Sequence, residues 1–131
     1  MNKNKTKNSS YKKTISIVSP CFNEEDNVIN LYNTVFKIMQ KQPYNYEHIF
    51  IDNSSTDSTV SKIKKLAKKD KNLKLIVNTR NFGTIRSPFY GITQSSGDAC
   101  ILIACDFQDP PELINDFIKS WKNGFKVILA K

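Results

Sequence analysis

The sequence predicts an α/β fold of three layers, in which a mostly parallel sheet carries helices on both faces. Short runs rich in β-branched residues alternate along the chain with longer segments whose apolar residues recur at helical spacing. The short runs are also too apolar for either face to meet water, which is typical of parallel strands covered on both sides. Each crossover between consecutive strands should be right-handed.

The predicted elements follow in chain order. The strands are the apolar runs at 14–19, 46–52, 73–78, 99–104 and 125–130. The first helix lies in segment 24–42 and is indicated by one apolar stripe, formed by Val28, Leu31, Tyr32, Val35 and Met39. The second helix lies in the lysine-rich segment 61–74, and the third spans 84–96. The fourth begins after two prolines and ends at Gly124.

The formal net charge of +8 is concentrated in two segments. Residues 1–13 contain five lysines and no acid, and residues 62–74 contain seven lysines and Asp70, so the rest of the chain sums to −3. We expect residues 1–13 to be a disordered basic tail and residues 14–131 to be the folded domain. The lysine helix is interpreted as a solvated face, with contact to an anionic membrane as the functional alternative. Nucleic acid is not expected as a partner, because no aromatic residues interleave these lysines.

The expected location is the cytoplasm, at the inner face of the plasma membrane if the chain meets a membrane. No apolar run approaches the roughly 20 residues of a membrane span, and the N-terminus has no signal-peptide core. Cys21, Cys100 and Cys105 form no CxxC pair, so they are interpreted as reduced thiols.

In open parallel sheets, ligands bind at the carboxyl ends of the strands. The loops expected there are 20–25, 52–57, 78–83 and 104–111, and three of the four carry acids. Neither GxGxxG nor GxxxxGK[ST] occurs, which disfavours a dinucleotide fold and a P-loop. His48, the chain's only histidine, lies away from these loops and is expected to be neutral and structural.

The loop 104–111, ACDFQDPP, suits a divalent cation, since carboxylates are hard oxygen ligands for Mg²⁺ or Mn²⁺. Without a cation, a diphosphate beside Asp106 would meet a repulsion of roughly 4 kcal/mol per charge pair at about 4 Å and an effective dielectric of about 20. The alternative is that both acids of the loop cap the following helix. We favour the N-cap for Asp109, which precedes Pro110, and the metal for Asp106, which directly follows the strand.

Five motifs stand in one order: SPCFNEE, FIDNSSTDST, NTRNFG, SSGDA and DFQDPPEL. In this order they resemble the family 2 inverting glycosyltransferases, in particular the branch of dolichol-phosphate mannose synthase and the bacterial polyprenyl-phosphate glycosyltransferases. The resemblance covers residues 14–131. It implies a GT-A fold and transfer of a hexose from a UDP- or GDP-sugar to a polyprenyl phosphate.

The resemblance also implies roles for nine residues. Pro20, Phe22 and Glu24 would line the pocket for the base and ribose. Phe50 and Asp52 would continue that pocket, with Asp52 hydrogen-bonded to the base. For Phe22 and Phe50 the alternative is a place in the core.

The remaining four residues belong to the phosphate side of the implied site. Asp106 and Gln108 would bind Mg²⁺ or Mn²⁺ under the sugar diphosphate, and Cys105 would contact the nucleotide through its backbone. Arg80 would approach the phosphates. Other polar residues of these loops are given structural roles: Glu25 and Asp26 at a helix start, Asp57 as a cap of the lysine helix, and Asn81 and Gly83 in a turn.

The sequence departs from the family pattern at two places. The metal motif is usually Asp-x-Asp, and Ala104 stands where its first acid would be. The sequence also ends at Lys131, whereas the family's acceptor site and catalytic base lie beyond this point, so no catalytic residue is assigned. The chain is therefore expected to be the donor-binding part of a truncated enzyme, with a non-catalytic interaction module as the alternative. An apolar sheet edge should be exposed and cause self-association.

Overall fold

The computed structural model describes residues 11–131, and residues 1–10 lie outside the described part. Strands and helices alternate as the sequence predicts, with most ends within a few residues of the expected ones. The elements are β1 (Thr14–Cys21), α1 (Val28–Gln40), β2 (Asn45–Asp52), α2 (Thr59–Ala67), β3 (Leu73–Val77), α3 (Gly83–Thr93), β4 (Ala99–Leu102) and α4 (Leu113–Lys122).

The four strands form one parallel sheet in the order β3-β2-β1-β4. The central strand β1 pairs with β2 over its whole length, from Thr14 opposite Asn45 to Cys21 opposite Asp52. Because every strand runs in the same direction, all four carboxyl ends meet at one edge of the sheet. The parallel sheet predicted from the apolar runs is confirmed.

Helices cover both faces of the sheet, which confirms the three-layer architecture. The larger core joins strand residues to the buried sides of three helices, and its members include Ile15, Ile17, Phe50, Val28, Leu31, Ile63, Ile114 and Ile118. The smaller core, Val18, Ile49 and Ile51, lies on the other face under α3. There Gly91 lets the helix approach closely, since a Cβ at this position would lie 2.8 Å from Val18 Cγ1.

A buried carboxylate ties the strands together near their amino ends. Glu47 of β2 accepts hydrogen bonds from the Ser16 hydroxyl at 2.6 Å and from the Ser96 backbone N–H at 2.6 Å, and it forms an ion pair with Lys74 of β3. Burial alone would raise the pKa of Glu47, but these hydrogen bonds outweigh it and lower the pKa to about 2. Glu47 therefore links β1, β2, β3 and the turn that precedes β4.

The fifth strand predicted at 125–130 is not formed, and this prediction was wrong. The segment has no regular secondary structure and lies beside β4, across an apolar groove of about 750 Å³. Phe125, Val127 and Leu129 are 62%, 80% and 83% exposed. A strand exists only where a neighbouring strand satisfies its backbone, and no described strand pairs with this segment.

The described part of the predicted tail touches the domain. The Tyr11 hydroxyl donates to Asp98 at 3.0 Å, and the Lys13 ammonium lies 5.2 Å from the ring centroid of Trp121. The prediction of disorder for residues 1–10 falls outside the described residues. Between residues 11 and 131, no helix is both long enough and apolar enough to span a bilayer.

Candidate functional site

The four loops at the carboxyl ends of the strands share an uncommon backbone feature. One residue in each has a positive φ: Asn23 (51°), Ser54 (69°), Gly83 (86°) and Phe107 (59°). Left-handed conformations are disfavoured for residues other than glycine, and they cluster where surrounding contacts hold a loop in a functional shape. All non-glycine positive φ values of the described residues fall in these loops.

Asp52, at the end of β2, holds the second loop in shape. It is fully buried, and its two carboxylate oxygens accept from the Ser55 hydroxyl at 2.5 Å and the Ser55 backbone N–H at 2.9 Å. The Cys21 thiol lies 3.7 Å from the same carboxylate. In this structure both carboxylate oxygens of Asp52 accept hydrogen bonds from the loop. The hydrogen bond from Asp52 to a nucleotide base stays a prediction.

Reciprocal hydrogen bonds join the first loop to the second. The Asn23 backbone N–H donates to Ser55 at 2.8 Å, and the Asn23 side-chain oxygen accepts from the Thr56 backbone N–H at 2.9 Å. Glu25, expected at the start of α1, instead accepts from the backbone N–H of Ser58, the residue at the N-cap of α2, at 3.0 Å. Hydrogen bonds from both sides therefore tie the two loops to each other.

Asp57 supports the start of the lysine helix from the position before the N-cap, which is Ser58 and not Asp57 as predicted. Its carboxylate accepts from the Thr59 backbone N–H at 2.9 Å and from the Thr59 hydroxyl at 2.5 Å. Slight burial would raise the pKa of Asp57, but the hydrogen bonds from Thr59 and Glu25 lower it.

Asn53 connects the second loop to the third, a role that the sequence analysis missed. Its amide N–H donates to Asn81 at 2.9 Å and to the Gly83 carbonyl at 3.1 Å, while its oxygen accepts from the Phe82 backbone N–H at 2.8 Å. Asn81 also accepts from the Gly83 N–H at 2.8 Å, which confirms the predicted turn. The available signal was an amide directly after a strand, since Asn often bonds to the backbone of turns.

Arg80 lies on the third loop, exposed to solvent. Its guanidinium carbon is 4.4 Å from the ring centroid of Phe82, a cation–π contact. Among residues 11–131 no carboxylate forms an ion pair with it, so its charge is available to an anion at this edge of the sheet.

The fourth loop leaves Asp106 and Gln108, two residues apart in the sequence, exposed to solvent. The Gln108 backbone N–H donates to Asp106 Oδ1 at 3.1 Å, across Phe107, whose φ is positive. Cys105, one residue earlier, is buried in the core. The pKa of the neighbouring Cys21 thiol is strongly raised, first by the nearby Cys105 thiol and then by burial. Both cysteines are free, as predicted.

Asp106 and Gln108 fit a cation that is shared with a ligand. In the described part of the chain, no three His, Cys, Asp or Glu side chains come together to hold a metal ion. Mg²⁺ and similar ions are commonly bound by one or two protein oxygens, with waters and substrate phosphates completing the shell. One carboxylate oxygen and one amide oxygen suit a cation whose other ligands are waters and substrate phosphates. They are too few for a site in which the protein supplies every ligand.

Asp109 does not cap α4, which corrects the role given to it. The N-cap of α4 is Glu112, and no side chain caps that end of the helix. Instead the Pro110 and Pro111 carbonyls accept the N–H groups of Leu113 and Ile114 at 3.0 Å each, so the turn begins with the prolines themselves. Asp109 is exposed and makes no hydrogen bond within residues 11–131.

The nine residues that the sequence assigned to the site differ in their solvent exposure. Four are exposed: Phe22, Arg80, Asp106 and Gln108. Pro20 and Glu24 are half-buried, and Glu24 accepts from the Asn27 amide at 2.8 Å. Phe50, Asp52 and Cys105 are buried, with Phe50 in the core against the His48 ring at a centroid distance of 4.4 Å. The exposed and half-buried residues lie on strand-end loops, except Pro20, which is the second-last residue of β1.

Comparison with known proteins gives agreement in sequence and in fold. The model of the family described as "Glycosyl transferase family 2" matches residues 16–131. The chain is 42% identical over 117 residues to the bactoprenol glucosyl transferase of Shigella phage SfV, covering 89% of this chain and 38% of that protein. The chain therefore spans less than two-fifths of the length of this relative.

Two solved structures share the fold. One is S. aureus TarS in complex with UDP-GlcNAc, with a TM-score of 0.62 and 22% identity over 88% of this chain and 37% of that one. The other is the mannosyltransferase PcManGT from Pyrobaculum calidifontis in complex with GDP-Man and Mn²⁺, with a TM-score of 0.57 and 20% identity over 74% of this chain and 28% of that one. At these identities the likeness establishes the α/β fold of glycosyltransferases and not the ligand.

Proposed function

Because the chain belongs to glycosyl transferase family 2, we propose that it is the donor-binding part of an enzyme that transfers a hexose from a nucleotide sugar to a polyprenyl phosphate. The observation that carries the proposal is the fourth loop, where Asp106 and Gln108 stand exposed at the carboxyl edge of the sheet. The polyprenyl phosphate acceptor is supported by the 42% identity to a bactoprenol glucosyl transferase. Such a lipid acceptor would place the reaction at the cytoplasmic face of a membrane.

The donor would lie across the four loops. Phe22, 45% exposed, offers an apolar surface for the base, with Pro20 and Glu24 beside it. Asp52 and Asn53 hold the loops in place through the bonds described above, so little reorganisation is needed when the donor binds. Arg80 carries a free positive charge for the phosphates.

Asp106 and Gln108 would hold Mg²⁺ or Mn²⁺. When bound, the ion neutralises the charge that develops on the leaving nucleoside diphosphate. These two residues would fix the cation at the strand end, and the hydrogen bond from the Gln108 backbone N–H to Asp106 holds the loop around Phe107 in shape. No residue of this chain is assigned as the base that deprotonates the acceptor.

A second candidate function is a nucleotide-binding module without activity of its own. One observation favours it: Ala104 occupies the position of the family's first metal-motif acid, and it is followed by a buried cysteine. The first proposal requires Asp106 and Gln108 to suffice for the cation. Both candidate functions predict that the donor binds, and only the first predicts that the sugar is transferred.

The test is calorimetric titration with UDP-glucose and, separately, GDP-mannose, with and without Mn²⁺. We expect one donor to bind only when Mn²⁺ is present, and Asp106→Ala to weaken that binding by at least about tenfold, because losing a ligand costs no less than losing a residue that supports one. Asp109→Ala is the matched control, because it removes an acid from the same loop that makes no hydrogen bond in the structure. It should bind like the wild type.

Two results would contradict the proposal. One is a folded chain that binds neither donor, and the other is binding that Asp106→Ala leaves unchanged. If a donor binds but no sugar reaches a polyprenyl phosphate, the second candidate function replaces the first.

A further inference from the structure

The apolar groove beside β4 follows the free edge of that strand. The groove has a volume of about 750 Å³, and the consecutive residues 98–103 line it. Ile92 of α3 lines it from one face of the sheet, and Phe117 of α4 lines it from the other. Segment 125–130 forms its outer wall. We name this space the edge groove, because it lies along the edge of β4 and not on either face of the sheet.

The backbone of β4 is unpaired on the side of the edge groove. Among residues 11–131, β4 pairs with β1 alone, so its outward N–H and C=O groups have no strand partner. The strand reads ACIL and contains neither a charge nor a proline, two features with which proteins block pairing at an edge strand. The edge of β4 is therefore open to an added strand.

The outer wall of the groove is a segment with the sequence of a strand but without strand pairing. Segment 125–130 reads FKVILA, and the side chains of Phe125, Val127 and Leu129 are largely exposed. No described strand pairs with it, although it lies beside a strand whose edge is free. The chain thus carries a free strand edge and a strand-forming segment, and the edge groove separates the two.

Charges at the groove and on the segment are complementary. Asp98 directly precedes β4 and Asp109 lies on the loop after it; both are exposed, and both line the groove. Asp109 makes no hydrogen bond within residues 11–131. Segment 125–130 contains Lys126, is followed by Lys131 and has no acid. A copy of the segment laid along the groove, in either direction, brings one lysine toward each acid.

We propose that the edge groove receives segment 125–130 of a second copy of this chain. Two identical copies exchange these segments about a two-fold axis, because the same pair of surfaces then meets twice. The incoming segment lies between β4 and the resident segment. It pairs with β4 on one side and with the resident segment on the other, so one sheet runs through both copies. This interface does not depend on the donor or on a metal ion.

The first test is made on the full, unaltered chain. Sedimentation velocity over a range of concentrations should show an equilibrium between monomer and dimer. Amide hydrogen exchange should become slower in residues 99–102 and 125–130 as the concentration rises, because new backbone hydrogen bonds form at these groups. Exchange in β2 and β3, which lie away from the groove, should change much less.

A proline in the segment tests the backbone pairing. Val127→Pro removes an N–H group from a segment that the proposal pairs on both sides, and proline is not tolerated within a sheet. We expect it to raise the dissociation constant at least about tenfold. The matched control, Val127→Ile, keeps the N–H group and a β-branched apolar side chain, so its dissociation constant should stay within about threefold of the wild type. Circular dichroism checks that both variants are folded.

A charge reversal tests the orientation of the segment. Asp109→Lys should raise the dissociation constant by about fivefold, because the two-fold axis repeats the lost ion pair and each exposed pair contributes little. Adding Lys126→Glu or Lys131→Glu, whichever lies beside position 109 of the second copy, should restore the wild-type value. The lysine that restores it gives the direction of the segment in the groove.

Four outcomes would overturn the proposal. They are a chain that stays monomeric at high concentration, a Val127→Pro variant that associates as tightly as Val127→Ile, a charge reversal that neither lysine substitution restores, and a dimer in which exchange at residues 99–102 is unchanged. The last would assign the association to another surface, such as the exposed side of α3. Because no experiment here uses a sugar donor, these results and the donor-binding result are independent.

Discussion

Asp52 is the last residue of β2 and Asn53 follows it directly, yet their side chains organise different loops. Asp52 holds its own loop through Ser55, whereas Asn53 reaches the third loop through Asn81 and Phe82. Neighbouring residues of a strand point to opposite faces, so one strand end can serve both sides of the sheet. At this scale the candidate site is a set of polar side chains that hold backbone in place, with few side chains left free for a ligand.

His48 shows what burial does to a titratable residue. The ring is buried, and Nε2 lies 2.9 Å from the Ser19 hydroxyl, whereas Nδ1 has no hydrogen-bond partner among residues 11–131. Burial lowers the pKa of His48 to about 3. The expectation of a neutral, structural histidine is confirmed.

This low pKa predicts a loss of stability in mild acid. Below about pH 6.5 the unfolded chain takes up a proton at His48, whereas the folded chain stays neutral until about pH 3. Acid therefore favours the unfolded state. Urea denaturation should show the free energy of unfolding falling by about 2 kcal/mol from about pH 7 to about pH 5. His48→Gln should flatten that fall. If the variant shows the same fall, groups other than His48 cause it. Glu47 is not one of them, because its low pKa changes the free energy of unfolding only at pH values below the usual pKa of a glutamate.

At the scale of elements, α3 depends on one glycine for its position. Gly91 is buried, and an added Cβ would lie 2.8 Å from Val18 and 3.0 Å from Ile51. This close approach brings the start of α3, with Ser87, to the loops: the Asn78 amide donates to the Ser87 hydroxyl at 2.9 Å. Helix α3 is thus held against the sheet by packing at Gly91 and joined to the third loop by a hydrogen bond at Ser87.

Gly91→Ala should destabilise the protein by about 1–3 kcal/mol through overpacking, although alanine has the higher helix propensity. Thermal or urea unfolding measures the change. Gln94→Ala, at the exposed C-cap of the same helix, is the control and should be close to neutral. A Gly91→Ala variant as stable as the wild type would mean that α3 shifts freely away from the sheet.

At the scale of the whole molecule, part of the apolar surface is left exposed to solvent. Ile85 and Phe89 of α3 are 81% and 66% exposed, and the segment 125–130 lies open beside the edge strand β4. Monomeric domains rarely leave such contiguous apolar patches to water. Self-association, predicted from the sequence, therefore stays the expectation for this chain.

Replacing Val127 and Leu129 by Lys should raise the dissociation constant of that association by at least about tenfold, because two large apolar side chains would no longer be buried between copies. Sedimentation velocity gives the constant. Thr84→Lys with Thr93→Lys adds the same charge at exposed polar positions and should have the smaller effect. A wild-type chain that stays monomeric at high concentration would contradict the prediction.

The sequence by itself determined the order of elements, the parallel sheet and the edge where the loops gather, because these depend on periodicity and on strand direction. Its motifs also singled out Asp106 and Gln108, which are both exposed on the loop after β4, and their role toward a cation stays a prediction. Only the tertiary structure decided that Phe50 and Asp52 are buried, that Asn53 joins two loops and that residues 125–130 form no strand. The physical reason is that burial, hydrogen-bond partners and strand pairing belong to pairs of segments distant in the chain, whereas periodicity belongs to one segment alone.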